Sequence, residues 1–155
     1  MATGCLDAQG REDWIRITGD DGGVEWIDYD QTGATAHRIW SNRTDAQGRE
    51  DWRRITGDDG RVESIDYDQA NERGDRTWTN HFDAQGRLDS TDVIRDDGHR
   101  VLFDYDQDGS RNWSRAEVYF HANGGPDFQL VYFDSGVCET WKYIGDIWVI
   151  ETPYA

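Results

Sequence analysis

The sequence predicts an all-β fold: one antiparallel meander sheet of tandem repeats, about three strands per repeat, with a more apolar C-terminal capping repeat. Three observations lead there. Asp-Ala-Gln-Gly-Arg opens at Asp7, Asp45 and Asp83, a step of 38 residues, and self-similarity at a fixed period of this size marks a repeat architecture. Two further landmarks keep step, Asp20-Asp21-Gly22 with Asp58-Asp59-Gly60 and Asp96-Asp97-Gly98, and Asp28-Tyr29-Asp30-Gln31 with its counterparts from Asp66 and Asp104. No window carries apolar residues at helical spacing.

In chain order, the repeats run over about 7–44, 45–82 and 83–120, and 121–155 is a degenerate cap within a single domain, 1–155. The Asp-Gly landmarks are turn chemistry, glycine supplying positive φ and aspartate bonding its own backbone. Between them lie short β-branched and aromatic runs: Trp14-Ile15-Arg16-Ile17-Thr18, then Val24-Glu25-Trp26-Ile27-Asp28-Tyr29, then Arg38-Ile39-Trp40-Ser41-Asn42. These read as the three strands of a copy. In the fourth copy, Asp134-Ser135-Gly136 and Tyr143 keep their places while apolar density rises (Phe128, Leu130, Val131, Trp141, Ile147, Trp148). That density fits a capping repeat or, alternatively, a docking surface or a dimer strand.

Comparing copies indicates which side chains are inward. Ile17, Ile55, Val93 and Val131 hold one column. Ile27, Ile65, Phe103 and Trp141 hold a second, and Tyr29, Tyr67, Tyr105 and Tyr143 a third. These columns are the expected core, with the tyrosines along one buried stripe, because Ile27 and Tyr29 are two apart and share a face. The column Ile15, Arg53, Thr91 drifts in polarity and is expected to face water.

A chain of 155 residues with a formal charge of −16 and 13% aromatic residues is long enough to bury a core and too aromatic for disorder. The charge disfavours direct contact with nucleic acid or an anionic membrane and favours basic partners and cations. There is no membrane-length apolar run and no signal-like start, so cytoplasmic residence is expected, with a secreted or cell-surface location as the alternative. Cys5 and Cys138 read as two thiols, or as one bridge that spacing alone does not establish.

Phe82-Asp83-Ala84-Gln85-Gly86-Arg87-Leu88, an Asp-Gly turn, then Tyr105-Asp106-Gln107-Asp108-Gly109 resembles the YD-repeat motif of RHS-type bacterial proteins. The resemblance covers most of residues 7–120 and is best in the third copy; Glu12 and Glu50 stand where Leu88 does. It implies a sheet wound from repeated hairpins, and it raises the reading of an extracellular adhesin.

Asp104, Asp106 and Asp108 with Gly109 form Asp-x-Asp-x-Asp-Gly, the opening of a calcium loop. Arg115 stands where an EF-hand would place its bidentate Glu, and the other copies lack the third Asp, so a plain Asp turn competes with a metal site. The pairs Asp20/Asp21, Asp58/Asp59 and Asp96/Asp97 recur in every copy, which suits hairpins and not acid–base dyads. His37, His81, His99 and His121 show no metal spacing, and neither a nucleophile elbow nor a phosphate loop occurs. No enzyme is expected. Trp14 and Trp52, with Trp40 and Trp78, suit an interface or a stacked sugar. The leading expectation is an acidic binding protein that occupies a basic protein or nucleoprotein surface through the Asp20/Asp21, Asp58/Asp59 and Asp96/Asp97 carboxylates and Trp14 and Trp52. Its concrete form is a nucleic-acid (DNA) mimic such as a phage anti-defence, anti-CRISPR-like inhibitor. A calcium-binding surface repeat and a carbohydrate-binding module are the alternatives.

Overall fold

The computed structural model describes residues 1–31, 33, 37–69 and 74–151. It is all-β. Thirteen strands follow one another in space in chain order, all antiparallel, in a single sheet that does not close. They are β1 (Ala2–Leu6), β2 (Glu12–Thr18), β3 (Val24–Tyr29), β4 (His37–Thr44), β5 (Glu50–Gly57), β6 (Val62–Tyr67), β7 (Asp75–Phe82), β8 (Leu88–Arg95), β9 (Arg100–Tyr105), β10 (Trp113–Phe120), β11 (Pro126–Phe133), β12 (Cys138–Ile144) and β13 (Ile147–Glu151).

The turns explain the meander. In the β2–β3 hairpin the Gly19 N–H donates to the Gly23 carbonyl at 2.9 Å and the Gly22 N–H to the Gly19 carbonyl at 3.2 Å. Gly22 sits at φ 82°, the left-handed residue that a three-residue hairpin requires. Asp21 Oδ1 accepts the Gly23 N–H at 3.0 Å. The same construction recurs at Gly60 and Gly98, with Asp59 accepting from Arg61 and Asp97 from His99. The Asp-Ala-Gln-Gly-Arg turns join β1–β2, β4–β5 and β7–β8, and each is followed by a register shift in its strand pair. The last connection differs: Gly145 and Asp146 both have positive φ, 54° and 68°, the signature of a two-residue hairpin loop.

The sheet is one layer thick. Its accessible surface is 9974 Å², against roughly 8000 Å² for a compact chain of this mass. The buried apolar residues are Val93, Val101, Ala116 and Val131, and the buried polar ones are Ser41, Thr91 and Glu117. Side chains are covered by their cross-strand neighbours, not by a second layer. On β10, for example, Glu117 accepts the Tyr119 hydroxyl at 2.8 Å and pairs with Arg115 at 2.8 Å, and the Tyr119 ring stacks on Phe128 at 4.3 Å. The C-terminal strands are the more apolar ones, and they leave Ile144, Ile147, Val149 and Ile150 exposed at the free edge.

The register corrects the expected core. Directly paired residues share a face, and Ile27 is linked by successive pairs through Ser41, Arg54, Ser64, Asn80 and Thr91 to Phe103. Ser64 therefore lies on the Ile27 face, and its neighbours in the pleat, Ile65 and Tyr67, lie on the opposite one. Tyr29 and Tyr105 share one face, while Tyr67 looks out of the other, so there is no single tyrosine stripe. The reason is arithmetic. Three strands per step is an odd number, so each copy runs opposite to the last, and the pairing register carries that reversal through with the faces exchanged.

The drifting column also behaves differently from the expectation. Thr91, 2% exposed, is the most buried of these residues, and its hydroxyl bonds Asn80 Oδ1 at 2.8 Å. Arg53 is half-buried and grips Glu50 with two hydrogen bonds, at 3.0 and 2.7 Å. In a single-layer sheet, position along the sheet decides burial more than residue polarity does.

Candidate functional site

Because strands alternate in direction, the twelve connections fall on two rims. One rim carries the loops opened by Asp7, Asp30, Asp58, Asp83, Asp106 and Asp134. The other carries those with Asp20, Asp45, Asp68, Asp96 and Asp146 and the β10–β11 turn at His121, which has no aspartate. Loops on one rim are two strands apart, roughly 10 Å at the usual strand spacing. The expected carboxylate array is thus divided: Asp20/Asp21 and Asp96/Asp97 share a rim, roughly 29 Å apart over six strands, and Asp58/Asp59 stand on the other. Within each pair the roles differ. Asp21, Asp59 and Asp97 cap their own turns, and Asp21 also pairs with Arg43. Asp20, Asp58 and Asp96 point into solvent.

A third set of aspartates holds the other hairpins. Asp83 Oδ1 accepts the N–H groups of Gln85 and Arg87 at 3.0 and 2.8 Å, and its Oδ2 accepts the Arg87 guanidinium at 2.7 Å. Asp7 and Asp45 make the same set. The Arg11 and Arg87 amides, followed by their guanidinium groups, hold Asp7 and Asp83 below the usual carboxylate range. Asp45 is partly desolvated, and the Arg49 contacts outweigh that and lower it too. The loops after β3, β6 and β9 lock onto these hairpins: the Gln31, Gln69 and Gln107 amides donate to the carbonyls of Glu12, Glu50 and Leu88. This is the physical role of the recurrent glutamine, which the sequence shows as part of a motif without revealing its target.

Asp104, Asp106 and Asp108 do not converge on a cation. Arg111 takes up two of them, its guanidinium pairing with Asp104 at 3.1 Å and its amide donating to Asp106 at 2.9 Å. Asp108 caps Ser110 and is lowered to about 2 by the Ser110 hydroxyl and amide. Among the described residues no group of three or more His, Cys, Asp or Glu side chains is arranged to hold a metal ion. Arg111 thus engages two of the three carboxylates of this loop, which keeps a net negative charge. Cys5 and Cys138 are free and exposed, on strands β1 and β12 at opposite ends of the sheet.

Trp14, Trp26 and Trp40 form one group and Trp52 and Trp78 another. Trp14 pairs across to Asp28, which pairs to Trp40. The rings of Trp14 and Trp26 lie 5.5 Å apart at 43°. These residues, with Asn42 and Thr44, line an open apolar trough on one face. Trp52, Asp66 and Trp78 repeat the row on the opposite face. Trp14 and Trp52 are thus never presented to one partner surface together. Trp26, 38% exposed, belongs to the site and was missed in the sequence because its counterparts Ser64 and Leu102 break the column. No helix among the described residues is long and apolar enough to cross a membrane. Comparison with known protein families and with curated proteins finds no match to this chain.

Proposed function

We propose that the chain is a non-enzymatic acidic binding protein that lays its two carboxylate-bearing rims against a basic protein or nucleoprotein surface in the cytoplasm. The observation that carries this is the regular recurrence of aspartate-bearing loops on both rims, with Asp20, Asp58 and Asp96 left to solvent in a chain of net charge −16. Such a field concentrates cationic partners and speeds their encounter. A duplex carries one phosphate per 3.4 Å of each strand, and the rims carry one loop per roughly 10 Å, so they match a basic protein surface in sign and extent more than in fine spacing. Nucleic-acid mimicry, as in an anti-CRISPR-like inhibitor, is the specific form of the proposal.

The test is a pull-down at low and high salt, followed by elution with duplex DNA. The expected catch is enriched in basic nucleic-acid-binding proteins, and both salt and duplex release it. A catch without such proteins overturns the reading, and one that salt releases but duplex does not overturns the mimicry alone.

A further inference from the structure

We propose that the trough formed by Trp14, Trp26 and Trp40 around Asp28 is a receptor for an arginine side chain of the basic partner. The inference rests on the acidic-binding reading above and adds the anchor to it. Asp28 lies between Trp14 and Trp40 as their direct cross-strand partner, which sets its Cα about 4.5–5.5 Å from that of each tryptophan. Trp26 closes the trough at an angle to Trp14. A planar guanidinium entering here meets indole faces and a carboxylate at once, and it is the cation best suited to both because it is planar, forked and weakly hydrated.

Two features of the molecule single out this place. First, the chain covers many of its aromatic rings with its own arginines: Arg16 over Trp26, Arg100 over Phe120, Arg111 over Trp113 and Arg115 over Tyr132, at 5.5, 5.0, 4.5 and 4.3 Å. Trp14 and Trp40 have no such cover among the described residues. Second, Asp28 makes neither an ion pair nor a hydrogen bond among the described residues, whereas its counterpart Asp104 is taken by Arg111 and its counterpart Asp66 has an interaction of its own. The charge complementarity is thus local as well as global: one exposed, unneutralised carboxylate set between two uncovered indoles, Trp14 and Trp40, with Trp26 beside them already under Arg16. A neutral sugar would use the indoles and leave the carboxylate's charge uncompensated.

The probe is a short arginine–glycine peptide, with a lysine–glycine peptide of the same length beside it, followed by the indole N–H signals of isotopically labelled protein. The indoles of Trp14, Trp26 and Trp40 shift saturably with the arginine peptide, those of Trp52 and Trp78 do not, and lysine binds more weakly. Asp28→Asn, at an exposed position, weakens binding by about twofold to fivefold, the scale of one exposed ion pair. Trp40→Phe checks the ring contribution without emptying its site. Equal binding by Asp28→Asn and the parent overturns the proposal, as does a neutral oligosaccharide shifting the same three indoles when the arginine peptide does not. The two readings separate cleanly. If Asp28→Asn captures basic proteins as well as the parent does, the trough falls and the rims stand. If the peptide titrates the trough and no basic protein is captured, the trough stands and the broader reading falls.

Discussion

Ile17 and Val93 occupy the same place in the first and third copies of the sequence, yet truncating them has expected costs of different size. Val93 lies in β8 between Trp78 and Val101, 3% exposed; Ile17 lies in β2 between Ala2 and Glu25, 36% exposed. Val93→Ala removes two carbons, about 1.6 kcal/mol of lost transfer energy at about 0.8 kcal/mol each, and the unfilled space brings the cost to about 2–2.5 kcal/mol. Ile17→Ala removes three carbons, but a third of that surface is already wet and water fills the gap, leaving roughly 1.5 kcal/mol locally. The end of a repeat array also opens without the centre, so the global transition should move by under about 0.7 kcal/mol. Urea unfolding of both variants at fixed pH and salt, followed by tryptophan fluorescence, gives the global cost. Amide exchange in β2 and β8 shows where each change is felt. If Ile17→Ala destabilises globally as much as Val93→Ala, burial in this sheet does not depend on position along it, and the account of a core confined to β8–β11 is wrong.

Further outcomes follow from the turns and the titrating groups. Gly22→Ala should cost more than Gly10→Ala: both positions have positive φ, worth about 1–2 kcal/mol for a residue with a Cβ, but only at Gly22 would the new carbon crowd another, Ala46 Cβ at 3.3 Å. Asp7, Asp45 and Asp83 are lowered on folding, so the stability they contribute is present above their ordinary value near 3.9 and is lost as pH falls through their folded values; the thermal midpoint should drop below about pH 4, and the Asp45→Asn, Asp83→Asn double variant should flatten that drop. Tyr119, pushed up to about 12 by desolvation and its bond to Glu117, should appear as a late step in a spectrophotometric titration. Its contribution is complete below pH 10 and disappears between 10 and about 12. Glu117→Gln should move that step to lower pH.

The strands, their order and the hairpin glycines were legible because each is a local property: an aspartate and a glycine at fixed offsets dictate a turn whatever surrounds it. Thr91, Arg53 and the tyrosine column were misread because burial here is a property of the row a residue joins, and rows are set by the register between strands. Thr91 is buried by Asn80 and Phe103 on either side of it, and neither lies in its own run of sequence. The trough was half visible. Trp14 and Trp40 stood out, but Asp28 looked like another turn residue and Trp26 like an exception. Only the pairing of β3 with β2 on one side and β4 on the other brings the four together.

The exchange of faces has a consequence for how such a chain can grow. Inserting one copy in the middle would invert everything downstream, so that each side chain formerly on one side of the ribbon emerged on the other, and any surface assembled from distant copies would be cut in two. Inserting two would restore the original sidedness. Copy number is therefore constrained by parity, and pairs of copies, not single ones, are the increments by which length can change while a binding surface stays whole.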